Sequence, residues 1–306
     1  MEQVIHRRRT NSSLEMPRTM SSSRTLILDR IRKIPDLPRL PDIFAQIEEA
    51  ARNEKTSAIE LAEIIETDPT TVAHILRLAN SAYYKAITGV STVREAVIRL
   101  GFREVRRLCL LSCVTRAFVK SSRGFDAAGF WQHSYTVGTM ARRIVEKHKL
   151  GEGLLADQAF TAGLLHDVGL LILDQFFGVL FAIVRREIQR TGQSTEITEK
   201  HYLQVDHGEI GAALLEEWNI PTPVIMGVRH HHDIESCDSR HRRLCCVVAL
   251  AERITVSAGL AGPGELPCRF VESRIMDELD LSPDDLIQWE DEARLEVDSS
   301  PLLLAG

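Results

Sequence analysis

The sequence predicts an all-α protein built as two packed helical lobes. Three observations carry that prediction. Apolar residues recur at three- and four-residue spacing along most of the chain; no stretch alternates with period two for long; and no Asn-Gly or Asp-Gly hairpin turn appears. With 306 residues, 44% hydrophobic and 26% charged, the chain has ordinary globular composition and length for a sizeable core.

Residues 1–24 are polar, Ser-rich and aperiodic, and read as a disordered tail. The first lobe is expected over 25–122. There "LPRLPDIFAQIEEAAR" opens on prolines and sets Ile43, Ile47 and Ala50 or Ala51 at helical spacing. "SAIELAEIIETDPTTVAHILRLANSAYY" breaks at Asp68-Pro69, an N-cap followed by a first-turn proline, after which Val72, Leu76 and Ala79 form one face. "STVREAVIRLGFREVRRLCLLSCVTRAF" holds two amphipathic stretches hinged at Gly101. "SSRGF" separates the halves, and a second lobe is expected over 123–257. Beyond it, residues 258–306 read as a Gly/Pro-rich linker, "SAGLAGPGELP", and an acidic helix whose start, Ser282-Pro283 with Asp285, has capping-box form.

Charge and cysteine usage narrow the class. The net charge of −6 conceals eight Lys or Arg against three acids in residues 1–33, and twelve acids against three Arg in residues 258–306. The middle is nearly balanced, so no nucleic-acid groove is expected, and both ends read as solvated flanks. No run reaches eighteen uninterrupted apolar residues and no signal-peptide core opens the chain, so the reading expects no membrane span. Six cysteines lack CxxC pairs or framework spacing and read as reduced thiols of a cytoplasmic protein.

The second lobe places polar groups on core faces. His133 shares a stripe with Val137, Met140 and Ile144; His207 shares one with Ile210, Leu214 and Trp218. His166 and Asp167 sit inside the apolar run "TAGLLHDVGLLIL". His231 and His232 end a helix that begins near Pro223, and Glu252 closes "LCCVVALAER". One such histidine is explained by a single internal hydrogen bond. Several imidazoles converging with a carboxylate instead match what a borderline divalent cation binds, and a cation would neutralise Asp167 where water cannot. Gly163 and Gly169, each costing about 1 kcal/mol in a helix interior relative to Ala, are either accidents or places where another segment approaches closely.

The order His133, His166-Asp167, His207, His231-His232 resembles the HD superfamily of all-helical metal-dependent phosphohydrolases, including the HD-GYP cyclic di-GMP phosphodiesterases. The chain is more closely similar to the HDOD domain, a bacterial signal-output module, through "LPRLP", "LAEIIETDPTTVAHILRLANSAYY", "STVREAVIRLGF", "FWQHSYTVG", "AFTAGLLHDVGLLIL", "HYLQVDHGEIGAALLEEWNIP" and "HHHD". The similarity spans roughly residues 30–255. It implies a regulatory module acting on signalling proteins in trans. By similarity to the HD-GYP pattern, His133, His166, Asp167, His207, His231 and His232 would hold a divalent metal (Fe, Mn or Zn), as a structural element or a remnant of one, with Glu252 standing where those enzymes carry Asp. Those enzymes read HDxGK and use the Lys on phosphate; here that position is Leu170, and "HHHDIES" replaces the Gly-Tyr-Pro. The competing expectation is a phosphohydrolase acting on a cyclic dinucleotide or nucleotide, and a nucleotide held without turnover lies between the two.

Other features have plainer readings. Arg99, Arg103, Arg106 and Arg107 form a basic cluster read as a solvated helix face, with an anionic partner as the alternative. Asn80, Ser81, Tyr83 and Tyr84 read as a cap and staple, and Cys109 with Cys113 as core.

Overall fold

The computed structural model describes residues 20–53, 55–81, 84, 89–118, 125–150, 156–262 and 273–299. All regular elements among them are helical. The first lobe contains α2 (Asp42–Arg52), α3 (Ala58–Glu66), α4 (Pro69–Ala79), α5 (Val93–Leu100) and α6 (Phe102–Ala117). Local chemistry starts them: Ser57 and Glu60 form a capping box on α3, Asp68 accepts from the Thr71 amide ahead of Pro69, and Thr92 caps α5. Gly101, at φ +90°, separates α5 from α6 in a conformation that side chains other than glycine rarely adopt.

The "LANSAYY" signal has a concrete role. The Asn80 amide donates to the carbonyls of Leu76 and Val90, and its oxygen accepts from the amides of Gly89 and Val90. One side chain thus ties the end of α4 to the approach to α5. The inward face of α4 is turned from the one expected. Thr71, Ile75, Leu78 and Ala79 are buried, while Val72 and Leu76 pack only partly. Thr71 can be interior because its hydroxyl donates to Asp68 at 2.5 Å and accepts from Arg116 at 3.0 Å.

The second lobe is built on α7 (Ala127–His148), α8 (Ala156–Leu165), α9 (Val168–Phe176), α10 (Gly178–Thr191), α11 (Thr195–Leu203), α12 (His207–Glu217), α13 (Thr222–His230) and α14 (Ser239–Ser257). The stretch Ala156–Phe176 is long and apolar enough by composition to cross a membrane, but it is interrupted at His166-Asp167 and 83% of its most apolar window is buried within the protein. Two glycines fix the central crossings. A Cβ on Gly163 would stand 2.8 Å from the Gly138 Cα, and one on Gly169 would overlap the His207 carbonyl. Both positions are therefore close backbone approaches, of α8 on α7 and of α9 on α12.

Two expectations change, at the N-terminal flank and at the seam. A helix, α1 (Met20–Arg32), begins inside the stretch expected to be disordered to residue 24; residues 1–19 lie outside the described residues. It packs on α12 rather than on the first lobe, burying Ile27 and Ile31 and pairing Arg24 with Glu209 and Arg32 with Glu216. At the other end, α15 (Ser273–Glu278) packs on α14, and α16 (Pro283–Ser299) docks on α14 and α7, burying Trp289 and Ala293. The basic cluster is a solvated face only at Arg99 and Arg103, which are exposed; Arg106 and Arg107 turn inward. Arg106 binds Glu48 at 2.8 Å and Asp157 at 3.3 Å, and Arg107 binds Glu104 at 2.6 Å and Asp157 at 3.2 Å. Asp157 lies on α8, so two arginines of α6 bolt the lobes together.

Candidate metal centre

Four chain segments deliver the predicted polar groups to one interior point. His133 hangs from the middle of α7; His166 and Asp167 form the corner between α8 and α9; His207 opens α12; His231 and His232 leave α13. His133 and His166 are fully buried, and Asp167, His207 and His231 are at most 2% exposed.

Each ring is set by what its Nδ1 does. His133 Nδ1 donates to the Leu260 carbonyl at 2.9 Å, His166 Nδ1 to Gly163 at 2.8 Å, and His231 Nδ1 to Val228 at 2.6 Å. His207 Nδ1 donates to the Glu199 carboxylate at 2.7 Å, and the same oxygen takes the His207 backbone amide at 2.8 Å. In a neutral ring a proton committed at Nδ1 leaves Nε2 with the lone pair that a metal would take. Those lone pairs turn inward and converge: His133 and His166 Nε2 are 3.3 Å apart, and His207 Nε2 lies 3.4 Å from His231 and 3.0 Å from His232.

Asp167 completes the arrangement from the centre. Its Oδ2 lies 3.2 Å from His166 Nε2 and 3.9 Å from His133 Nε2. Its Oδ1 lies 3.2 Å from His207 Nε2 and 3.8 Å from His231 Nε2. No hydrogen bond reaches either oxygen from outside this ring of imidazoles. A buried carboxylate whose neighbours in reach are imidazole nitrogens needs positive charge beside it, from a protonated ring or from a bound cation. The spacing suits one: two nitrogens bound at about 2.1 Å to a common tetrahedral or octahedral ion stand about 3.0–3.4 Å apart. The residues therefore could hold metal in two nests that share Asp167. One comprises His133, His166 and Asp167; the other comprises Asp167, His207, His231 and His232, with donor atoms within 4.8 Å of one another in each.

Protonation follows the same geometry. Burial pushes Asp167 up, but the imidazoles of His166 and His207 outweigh it and hold the carboxyl well below its usual range. His207 goes the other way: burial opposes its charge, yet Glu199 and Asp167 raise it well above an ordinary histidine. Burial, then the neighbouring rings of His166 and His207, brings His231 down to about 3. Burial and then His231 hold His232 well below the ordinary value.

Glu252 stands apart from both nests. Its Oε1 is 3.9 Å from His232 Nε2, and it faces a cleft of about 190 Å³ that His231 and His232 also line. That cleft carries Glu196, Asp233, Glu235, Glu252 and Glu278 against Arg242, Arg253 and Arg274, and Arg274 is already paired with Glu235. Leu170 is buried in α9 and offers no cation. Glu199 escaped the sequence reading. The buried residues of α11 are Thr195, Thr198, Glu199 and Leu203, and with one apolar residue among four they leave no apolar periodicity to find.

Comparison with known proteins agrees with this architecture. The family model of the HDOD domain matches residues 37–234. An uncharacterized protein of Treponema pallidum is 28% identical over 252 residues, which cover 81% of this chain; the chain spans about half of that relative's length, 48%. An HDOD domain protein of unknown function from Geobacter sulfurreducens superposes with a TM-score of 0.79 at 25% identity, over 93% of this chain and 99% of that one. A candidate signal transduction protein from Marinobacter aquaeolei gives 0.78 at 25% identity, over 94% of this chain and 65% of that one. A candidate phosphohydrolase from Shewanella amazonensis gives 0.70 at 25% identity, over 90% and 96%.

Proposed function

Because the chain belongs to the HDOD domain family, we propose that it is a signal-transduction output module that acts on other signalling proteins through surface contacts in the cytoplasm, with a divalent metal (Fe, Mn or Zn) held as a structural element of its second lobe. His133, His166 and Asp167 would hold it on one side, and Asp167, His207, His231 and His232 on the other. Bound there, the metal would supply at Asp167 the positive charge that a protonated His207 supplies without it.

The observation that carries this reading is a converging donor set behind a small, acidic cleft. The described cleft at His232 measures about 190 Å³, below the roughly 300–1,000 Å³ of sites that enclose small molecules. Five carboxylates against three guanidiniums would repel a phosphate rather than gather it. Leu170 stands where HD-GYP enzymes use a Lys, so the stabilisation of charge that phosphodiester cleavage needs is missing at that point. A second reading, a phosphohydrolase acting on a cyclic dinucleotide or nucleotide, is favoured by one feature: the two-nest donor set with a shared carboxylate is the kind that activates a water.

Elemental analysis of purified protein, with turnover assays on cyclic di-GMP and bis(p-nitrophenyl) phosphate in added Mn or Fe, separates the two. The regulatory reading expects retained metal and no turnover. Turnover that Asp167→Asn abolishes overturns it.

A further inference from the structure

Away from the metal centre, two thiols meet in the corner between α13 and α14. Cys237 follows the short 3₁₀ turn Ile234–Ser236 and Cys245 lies on α14, and their sulfurs are 3.2 Å apart. Both residues are free thiols and buried, while the neighbours of Cys237 in the chain, Ser236 and Asp238, are exposed. The Cys245 thiol proton is shared between the Cys237 sulfur and the Met226 carbonyl, 3.3 Å away on α13. Neither cysteine belongs to the metal nests.

We propose that Cys237 and Cys245 form an oxidative modification site, in which hydrogen peroxide converts the pair to an intramolecular disulfide. The Cys237 thiolate attacks one peroxide oxygen. The O–O bond breaks, the departing hydroxide takes a proton from solvent to become water, and Cys237 is left as a sulfenic acid. The Cys245 sulfur then attacks the Cys237 sulfur; the S–S bond forms, the S–O bond breaks, and the hydroxyl leaves as a second water with the Cys245 proton. Two thiols lose two electrons, and one peroxide is reduced to two waters.

The geometry assigns the roles. Closing from 3.2 Å to the disulfide length of about 2.05 Å moves the sulfurs by about 1.2 Å. The hydrogen bond from Cys245, with Arg242 nearby, holds the Cys237 thiol below its usual value and so favours the attacking thiolate. That same bond, then burial, pushes Cys245 up, as suits a resolving thiol. The remaining described cysteines are inert by comparison: burial pushes Cys113 and Cys246 up to about 12 and Cys109 well above the ordinary range. Oxidation would withdraw the Cys245 proton from Met226 and tether the exit of the His231-His232 corner to α14.

The test is peptide mapping of the full chain after peroxide treatment and alkylation, without reduction. The proposal expects one cross-linked species joining Cys237 to Cys245, short by two hydrogens and reversed by dithiothreitol, with Cys109, Cys113 and Cys246 still alkylated. Cys245→Ser should leave Cys237 as a sulfenic acid captured by dimedone. Cys237 and Cys245 alkylating as fully as Cys109, or Cys237 passing to sulfinic acid with no cross-link, overturns it. The wild-type map alone decides the question if the Ser variant fails to fold.

Discussion

Asp68 and Glu199 are carboxylates of unequal visibility, and each supports a separate prediction. Burial pushes Asp68 up, but the Thr71 hydroxyl and the Arg116 guanidinium, the latter at 2.5 Å, bring it below its ordinary value. A lowered folded value means the ion pair stabilises above the unfolded pKa of about 3.9 and is lost as pH falls through the folded value. Asp68→Asn keeps an N-cap oxygen and should cost about 0.5–1 kcal/mol at neutral pH, a gap that closes in urea titrations as pH falls below the ordinary carboxylate range. Glu199→Gln should weaken metal affinity about 10–100-fold in chelator competition, because the carboxylate that orients His207 is lost. The site's histidines could be read in the sequence because they interrupt apolar stripes. Glu199 could not, since it lies among polar neighbours and meets His207 only after α11 has ended and the chain has turned into α12.

At the scale of helices, close crossings decide which substitutions are tolerated. Gly169→Ala would drive a methyl into the His207 carbonyl, and backbone cannot yield as a side chain can. The expected loss is about 3 kcal/mol or more by urea denaturation, whereas Gly178→Ala, with nothing near its Cβ, should be neutral or slightly stabilising. Ile31→Ala should cost about 2–4 kcal/mol if α1 holds to α12 through its buried face. Element order and two of the breaks were legible in the sequence: Asp68 and Gly101 act where the residue types place them. The destination of α1 was not. Its apolar residues are few, and its partner surface lies about 180 positions away, where periodicity carries no information.

Across the whole molecule, one continuous core runs from Ile27 to Ala293, with Arg106 and Arg107 crossing the seam between the lobes. The sequence suggested a solvated face for those arginines because their partner, Asp157, is on the far side of the division. Stripping metal with a strong chelator should lower the thermal midpoint by roughly 5 °C or more if the site was held at about a hundredfold its Kd, and resupplied Mn should restore it, as read by calorimetry. The seam also contains an aromatic stack: Phe118 stands 6.4 Å from Trp131 and 6.0 Å from Trp218, whose indole donates to the Pro38 carbonyl at 2.8 Å. Two of the chain's three tryptophans are thus posted where the lobes join, and the third, Trp289, is on the buried face of α16. The molecule therefore has its own optical gauge. Any partner that pries the halves apart should shift the intrinsic emission to the red, so engagement can be followed without attaching a dye.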